Sequence, residues 1–306
     1  MELIQAIIAS IIVAATPLAF AAIGEVVAEK SGVLNLGVEG MMIVGALAGF
    51  ATTFETGSPA LGVLVAAAAG TTAALAFGFL TQILLANQVA TGLALTLFCL
   101  GLTALAGHAY SGQATPPLQP IPIPLLSEIP VLGPALFAHD ALVYLAVALA
   151  LAAGWFLRST RAGLILRAIG ENPDAAHAIG YPVVLARLMA LAFGGALAGI
   201  GGAYLFLVQT PHWVENMTSG RGWIALAIVV FAGWRPERAL LGAYLFGGVS
   251  VIQLHMQAFG IDIDAQYLSM APYLATIVVL ALISHDKTRQ RMNAPAALGR
   301  PFFQSS

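Results

Sequence analysis

Residues 3–24 have the sequence LIQAIIASIIVAATPLAFAAIG, an apolar run without Asp, Glu, Lys or Arg. A helix needs about 20 apolar residues to cross the hydrocarbon core of a bilayer, so this run predicts a membrane-spanning helix. A secretory signal usually has a basic residue before a shorter apolar run, and here Met1 and Glu2 precede it. We therefore expect the run to stay in the protein as its first membrane helix.

The composition of the whole chain agrees with a lipid environment. Of its 306 residues 59% are hydrophobic and 8% are charged, and the formal net charge is −2. A soluble domain carries roughly 25% charged residues. These values exclude a soluble enzyme, a nucleic-acid-binding protein and a disordered scaffold. With Cys99 as the single cysteine, we expect no disulfide framework, no Cys-based metal site and no cofactor.

Further apolar runs predict one all-α transmembrane domain, 1–306, with about nine spans. The runs are continuous and do not alternate as the strands of an outer-membrane barrel do. The expected spans are 3–24, 39–54, 60–86, 89–109, 141–157, 188–209, 223–234, 239–258 and 268–284. The second and seventh are short for a full crossing. We therefore expect their flanks, 31–38 and 220–222, to enter the membrane as irregular backbone covered by protein or by a water-filled cavity.

The basic residues predict the orientation, because cytoplasmic loops are enriched in Lys and Arg. If the loop 158–187 is cytoplasmic, every Lys and Arg except Arg221 lies on the inside. This orientation places the N-terminus outside and the tail 285–306 inside. It also makes 110–140, which is rich in proline, an external loop that should be extended and semi-rigid.

The segment 167–180, RAIGENPDAAHAIG, predicts a short helix within the cytoplasmic loop. It contains residue types that suit a helix start, a small apolar face and a helix stop, in the order Asn172, Pro173, Asp174, Ala175, Ala176, Ile179 and Gly180. A helix of this length needs a docking partner to be stable. That partner is either the rest of its own chain or another protein.

Three motifs resemble a known family. They are GENPDAA at 170–176, EKSGVLNLGVEGMM at 29–42, and GRGWIALA at 220–227 followed by GWRP at 233–236. In this order they resemble the permease subunits of bacterial ABC importers of the branched-chain amino acid, ribose and nucleoside superfamily, closest to the nucleoside and simple-sugar branch. The resemblance extends over nearly the whole chain.

The resemblance implies a role and a set of partners. The cytoplasmic helix is then the element that couples the permease to an ABC ATPase subunit, through Glu171, Asn172, Pro173, Asp174, Ala175, Ala176 and Gly180. A second permease subunit (identical or paralogous), an external solute-binding protein and a place in the bacterial cytoplasmic membrane are also implied. The chain has no Gly-x-x-x-x-Gly-Lys-Ser/Thr loop, so we expect a separate subunit to hydrolyse ATP.

Polar residues beside the apolar runs are candidates for the translocation path, because hydrocarbon penalises them. They are Asn35, Glu39, Asn87, Gln88 and Thr91. Hydrogen bonding between helices is an equally good interpretation for Asn35, Glu39 and Asn87. Beyond Glu39 we expect few acidic residues within the spans, and almost no buried basic ones.

The solute and the energy source have alternatives. Nucleosides are preferred, because 31–42 and the short N-terminal region resemble that branch most, while simple sugars, vitamins resembling riboflavin and purine bases stay open. An ion-coupled secondary transporter is the alternative from another class, although no internal repeat is visible. An intramembrane enzyme is improbable, since neither His-Glu-x-x-His nor Gly-x-Ser-x-Gly occurs.

Overall fold

The computed structural model describes residues 2–124, 126, 127, 129, 132–258, 270, 274, 277, 278, 281 and 293–303. Within these residues the regular secondary structure is helical. The α-helices are α1 Glu2–Lys30, α2 Val38–Thr56, α3 Pro59–Gly78, α4 Gln88–Gly107, α5 Leu132–Phe137, α6 Ala141–Ser159, α7 Arg161–Glu171, α8 Pro173–Ala178, α9 Val183–Tyr204, α10 Arg221–Phe231 and α11 Pro236–Ala258. Short π-helical turns, Phe79–Ile83 and Leu205–Gln209, extend α3 and α9.

Eight of the nine expected spans coincide with a helix of the structure. In the described part of the chain, six helices are long and apolar enough to cross a membrane, namely α1, α2, α3, α4, α6 and α9. Most of the ninth expected span, 268–284, and half of the tail 285–306 lie outside the described residues. The count of nine crossings and the orientation of the termini therefore stay predictions.

The first span is longer than the hydropathy pattern predicts. The expected end was residue 24, whereas α1 continues to Lys30. Glu25 and Glu29 thus lie inside the helix, where both are buried. The run of apolar residues ends at these carboxylates, but the helix continues because each carboxylate has a hydrogen-bond partner from another part of the chain.

Helices α2, α3 and α9 pack closely through glycine. An added Cβ at Gly70 would lie 2.1 Å from the carbonyl oxygen of Gly195, and one at Gly199 would lie 2.1 Å from that of Ala66. An added Cβ at Gly45 would lie 2.4 Å from the Cα of Gly199. Small residues at these crossings let the backbones meet, which is how membrane helices gain packing contacts.

Two helices begin within the bundle rather than at its end. Residues 31–37 are irregular and mostly buried, and α2 begins after them. An added Cβ at Gly40 would lie 2.9 Å from the Cα of Thr96. Thr96 is eight residues into α4, so Gly40, the third residue of α2, lies about 12 Å along α4 at 1.5 Å per residue. Residues 31–37 of the first expected flank are irregular, but Val38 already begins α2, and the entry of this flank into the membrane stays a prediction. The second flank lies earlier than expected, because Arg221 and Gly222 already belong to α10 and the chain before them is irregular.

Residues 111–124 of the proline-rich loop contain no helix and are hydrogen-bonded to the chain that follows α9, whereas α5 lies in the second half of the loop. Thr115 N–H donates to the Pro211 carbonyl at 3.0 Å, and Leu118 N–H donates to that of Leu207 at 2.9 Å. The helix α9 and its π-helical turn separate this loop from α8 by about 40 Å, because they contain 27 residues. The loop and α8 therefore lie at opposite ends of the bundle.

Candidate functional site

The irregular residues 31–37 turn back into the bundle, and we call them the re-entrant segment. The Asn35 amide donates to Glu25 Oε2 at 3.0 Å. Glu25 lies five residues before Lys30, the last residue of α1, so Asn35 is about 7 Å back along that helix. The Asn35 Oδ1 accepts from Gly37 N–H at 3.0 Å, which fixes the turn that leads into α2.

The carboxylate of Glu39 lies at the N-terminus of α10. Its Oε1 accepts from the Thr218 hydroxyl at 2.6 Å and from Gly220 N–H at 2.8 Å, and its Oε2 accepts from Gly222 N–H at 2.6 Å. Glu39 is 2% exposed. A helix N-terminus offers free N–H donors and the positive end of the helix dipole, so it stabilises a carboxylate there.

Glycine is required where the two helix starts meet. An added Cβ at Gly222 would lie 2.5 Å from the backbone N of Glu39. Gly220 has φ +82°, in the left-handed region that glycine adopts without strain. The GRG sequence before α10 thus lets the backbone donors approach Glu39.

Gln88, the first residue of α4, also contacts the re-entrant segment. Its Oε1 accepts from Leu34 N–H at 2.8 Å. Its Nε2 and the Oε1 of Glu25 are buried and have no hydrogen-bond partner among the described residues. Two unsatisfied polar atoms therefore lie on residues that hold Leu34 and Asn35.

The other two expected path residues lie at the start of α4. Asn87 is exposed, and its Oδ1 accepts from Ala90 N–H at 3.0 Å, so its side chain caps the helix. Thr91 is half-buried one turn later. The structure thus brings Asn35, Glu39 and Gln88 to the ends of the re-entrant segment, and it gives Asn87 a local structural partner.

The sequence interpretation missed the burial of four charged residues, Glu25, Glu29, Asp140 and Arg187. We expected few acidic residues within the spans beyond Glu39, and the longer α1 adds Glu25 and Glu29. Glu29 accepts a hydrogen bond from the Trp234 indole. Arg187 Nε donates to the Ser31 carbonyl at 3.1 Å, and its Nη1 donates to Gln82 Oε1 at 3.0 Å. The four-residue spacing of Glu25 and Glu29, which puts them on one helix face, was the signal available in the sequence.

Helix α8 has the caps that the sequence predicts. Asn172 Oδ1 accepts from Ala175 N–H at 3.0 Å, and Gly180 follows the helix with φ +94°. One side of α8 packs on its own chain through Pro173 and Ala176, which are buried. The other side is exposed; its residues include Glu171 just before the helix, Asp174, Ala175, Ala178, and Ile179, which is 73% exposed.

Comparison with known proteins gives one family. The family model for the permease component of branched-chain amino acid transport systems matches residues 7–284. The putative glucose ABC transporter permease TsgC13 of Haloferax volcanii is 40% identical over 93% of this chain and 93% of its own length. No solved structure matches the chain.

Two further relatives are named for nucleosides. The nucleoside ABC transporter permease NupC of Lactococcus lactis is 35% identical over 91% of this chain and 92% of its own length. The guanosine ABC transporter permease NupQ of Bacillus subtilis is 33% identical over 99% of this chain and 98% of its own length.

Replacing Glu39 by glutamine should destabilise the protein. The amide keeps one acceptor oxygen but turns an NH₂ group towards the N–H donors of α10, so we expect a loss of about 2 kcal/mol. Cys99 is buried and is the single cysteine, so its reaction with a maleimide fluorophore on heating reports unfolding. Glu55→Gln is the matched control, because Glu55 is exposed at the other end of α2. Equal unfolding temperatures for the two variants would contradict the capping role.

Proposed function

Because the chain belongs to the branched-chain amino acid transport system permease family, we propose that it forms the translocation path of an ATP-driven ABC importer for nucleosides or related purines. The observation that carries the solute class is the pair of nucleoside permeases that match more than nine-tenths of the chain. Permease components of this family are not enzymes. In this proposal a separate ABC ATPase subunit hydrolyses ATP.

Sugar import is the second candidate. The putative glucose permease TsgC13 has a higher identity to this chain than the nucleoside permeases have. Nucleosides and sugars share ribose-like hydroxyl groups, which both donate and accept hydrogen bonds. A path that recognises such hydroxyls suits either solute, so the choice between them depends on transport measurements.

We place the path beside the re-entrant segment. Asn35, Glu39 and Gln88 hold this segment and the start of α10, and the unsatisfied polar atoms of Gln88 and Glu25 are groups that a solute hydroxyl would satisfy. Irregular backbone and helix N-termini inside a membrane protein are typical of substrate sites in transporters. Thr91 and Asn87, at the start of α4, complete the proposed lining at one end.

The exposed face of α8 is the proposed docking surface for the ATPase. It presents Ala175 and Ile179, with Asp174 beside them, while Ala176 anchors the helix to the permease. In this mechanism ATP binding moves the coupling loop, 158–187, and the helices alternate between outward and inward openings. A second permease subunit (identical or paralogous) and an external solute-binding protein complete the importer, in the bacterial cytoplasmic membrane.

Uptake measured on a panel of labelled nucleosides, bases and sugars tests the function. We expect that cells without this permease lose uptake of nucleosides, and that uptake in cells with it needs ATP and survives an uncoupler. Uptake that the uncoupler abolishes while ATP is maintained would support the ion-coupled alternative. Loss of sugar uptake alone would select the second candidate.

Cysteine labelling tests the orientation. In a Cys99→Ser background, Ala178→Cys places an exposed thiol on α8, and Gln119→Cys places one in the exposed part of the proline-rich loop. The two sites lie at opposite ends of the bundle, so an impermeant maleimide should label position 119 in intact cells and position 178 after permeabilisation. Labelling of position 178 in intact cells would overturn the docking proposal.

A charge in place of the exposed apolar side chain of Ile179, beside α8, should detach the ATPase. Ile179 is 73% exposed, so Ile179→Glu leaves the packing of the permease intact and adds an unpaired carboxylate to the proposed interface. We expect loss of co-purification with the ATPase and loss of transport. Ile121→Glu, at an apolar residue 56% exposed in the loop at the opposite end, is the control and should behave like the unmodified protein. Retained co-purification in both variants would count against α8 as the docking element.

A further inference from the structure

Residues 293–303, which we call the C-terminal segment, lie across the end of the bundle that carries α8. Five hydrogen bonds tie the backbone of this segment to other elements. The Lys30 ammonium donates to the Asn293 carbonyl at 2.6 Å, and Arg187 Nη1 donates to the Arg300 carbonyl at 3.4 Å. Ala296 N–H donates to Glu171 Oε2 at 3.3 Å, Ala297 N–H to the Gly170 carbonyl at 2.9 Å, and Gly299 N–H to the Gly32 carbonyl at 3.1 Å. The segment therefore connects α1, α7, α9 and the re-entrant segment.

The side chain of Phe302 packs beneath α8. It is 5% exposed and forms a small apolar cluster with Ile169, Ala176 and Val183. Its ring also meets the ring of His177 edge-on, with centroids 5.4 Å apart. Phe302 therefore supports the side of α8 opposite to its exposed face.

A few residues before Phe302, the C-terminal segment contacts the start of the re-entrant segment. Gly299 is bonded to Gly32, and an added Cβ at Gly32 would lie 3.0 Å from the guanidinium of Arg187 and 3.5 Å from the Ala297 carbonyl. Arg187, which is fully buried, also donates to the Ser31 carbonyl. Close packing and buried hydrogen bonds resist deformation, so these parts move together.

We propose that the C-terminal segment is a strap that transmits the movement of α8 to the re-entrant segment, with Phe302 as its positioning residue. This inference rests on the proposed function, in which α8 binds the ATPase. A helix of six residues is not stable alone, so a force on α8 passes to whatever its buried face contacts. That face contacts Phe302, and the strap is bonded from there to Arg187 and Gly32.

The number of solute molecules moved per ATP hydrolysed tests the strap. The permease is reconstituted in proteoliposomes with its ATPase and solute-binding protein, and labelled guanosine (or labelled glucose, if the uptake panel selects sugars) is the probe. We expect Phe302→Ala to retain the ATPase and to lower solute moved per ATP by about tenfold, while ATP hydrolysis continues. Phe302→Leu, which keeps an apolar side chain of similar volume, should restore the ratio to within about twofold.

Two further variants distinguish a failure of the strap proposal from a failure of the docking proposal. Phe303→Ala removes the neighbouring ring, which is 66% exposed, and should leave the ratio unchanged. A normal ratio in Phe302→Ala, or loss of its ATPase, would overturn the strap. Ile179→Glu should lose the ATPase; if it keeps the ATPase, the docking proposal itself fails, whatever Phe302→Ala does. Heating with the maleimide fluorophore checks that each variant is folded, through the buried Cys99.

Discussion

The contact between the Glu39 carboxylate and the N-terminus of α10 makes the broken helices possible. A helix start leaves backbone N–H groups without partners, and a bilayer core supplies no water to satisfy them. Glu39 accepts from two of these N–H groups and from Thr218. The donors in turn offset the cost of burying a carboxylate, which is at least ~2.5 kcal/mol even on insertion scales. The Glu39 carboxylate therefore satisfies free N–H groups at the start of α10, and these N–H groups stabilise the buried charge.

Local chemistry made much of the fold predictable from the sequence. Hydropathy located the long helices because a spanning helix must be apolar over its length. Capping chemistry located α8, since Asn172 and Gly180 act through neighbours in the sequence. The partners of Glu25 and Glu29 could not be predicted in this way. Asn35 and Trp234 reach these carboxylates only through the tertiary fold, so hydropathy alone predicts that the span ends at the charges.

The sequence predicted which residues belong to the candidate site, but it did not predict which contacts they make. Asn35, Glu39 and Gln88 stand out as polar residues beside apolar runs, and the structure brings them to one buried segment. Asn87 has the same character in the sequence, yet its side chain caps α4 at an exposed position. What separates these residues is whether a hydrogen-bond partner from a distant part of the chain reaches them, and hydropathy contains no information on that. Glu25 is that partner for Asn35, the start of α10 for Glu39, and Leu34 for Gln88.

The re-entrant segment is held at both of its ends, which explains how one end of the bundle can affect its interior. Arg187 and the C-terminal segment bind its first residues, Ser31 and Gly32. Glu25 holds Asn35, and Glu39 follows at the start of α2. A stretch this short, irregular and buried has no room to absorb a displacement by local unfolding, because its polar backbone would lose partners that lipid cannot replace. A displacement at Gly32 must therefore move Asn35 and the start of α2, or break buried hydrogen bonds.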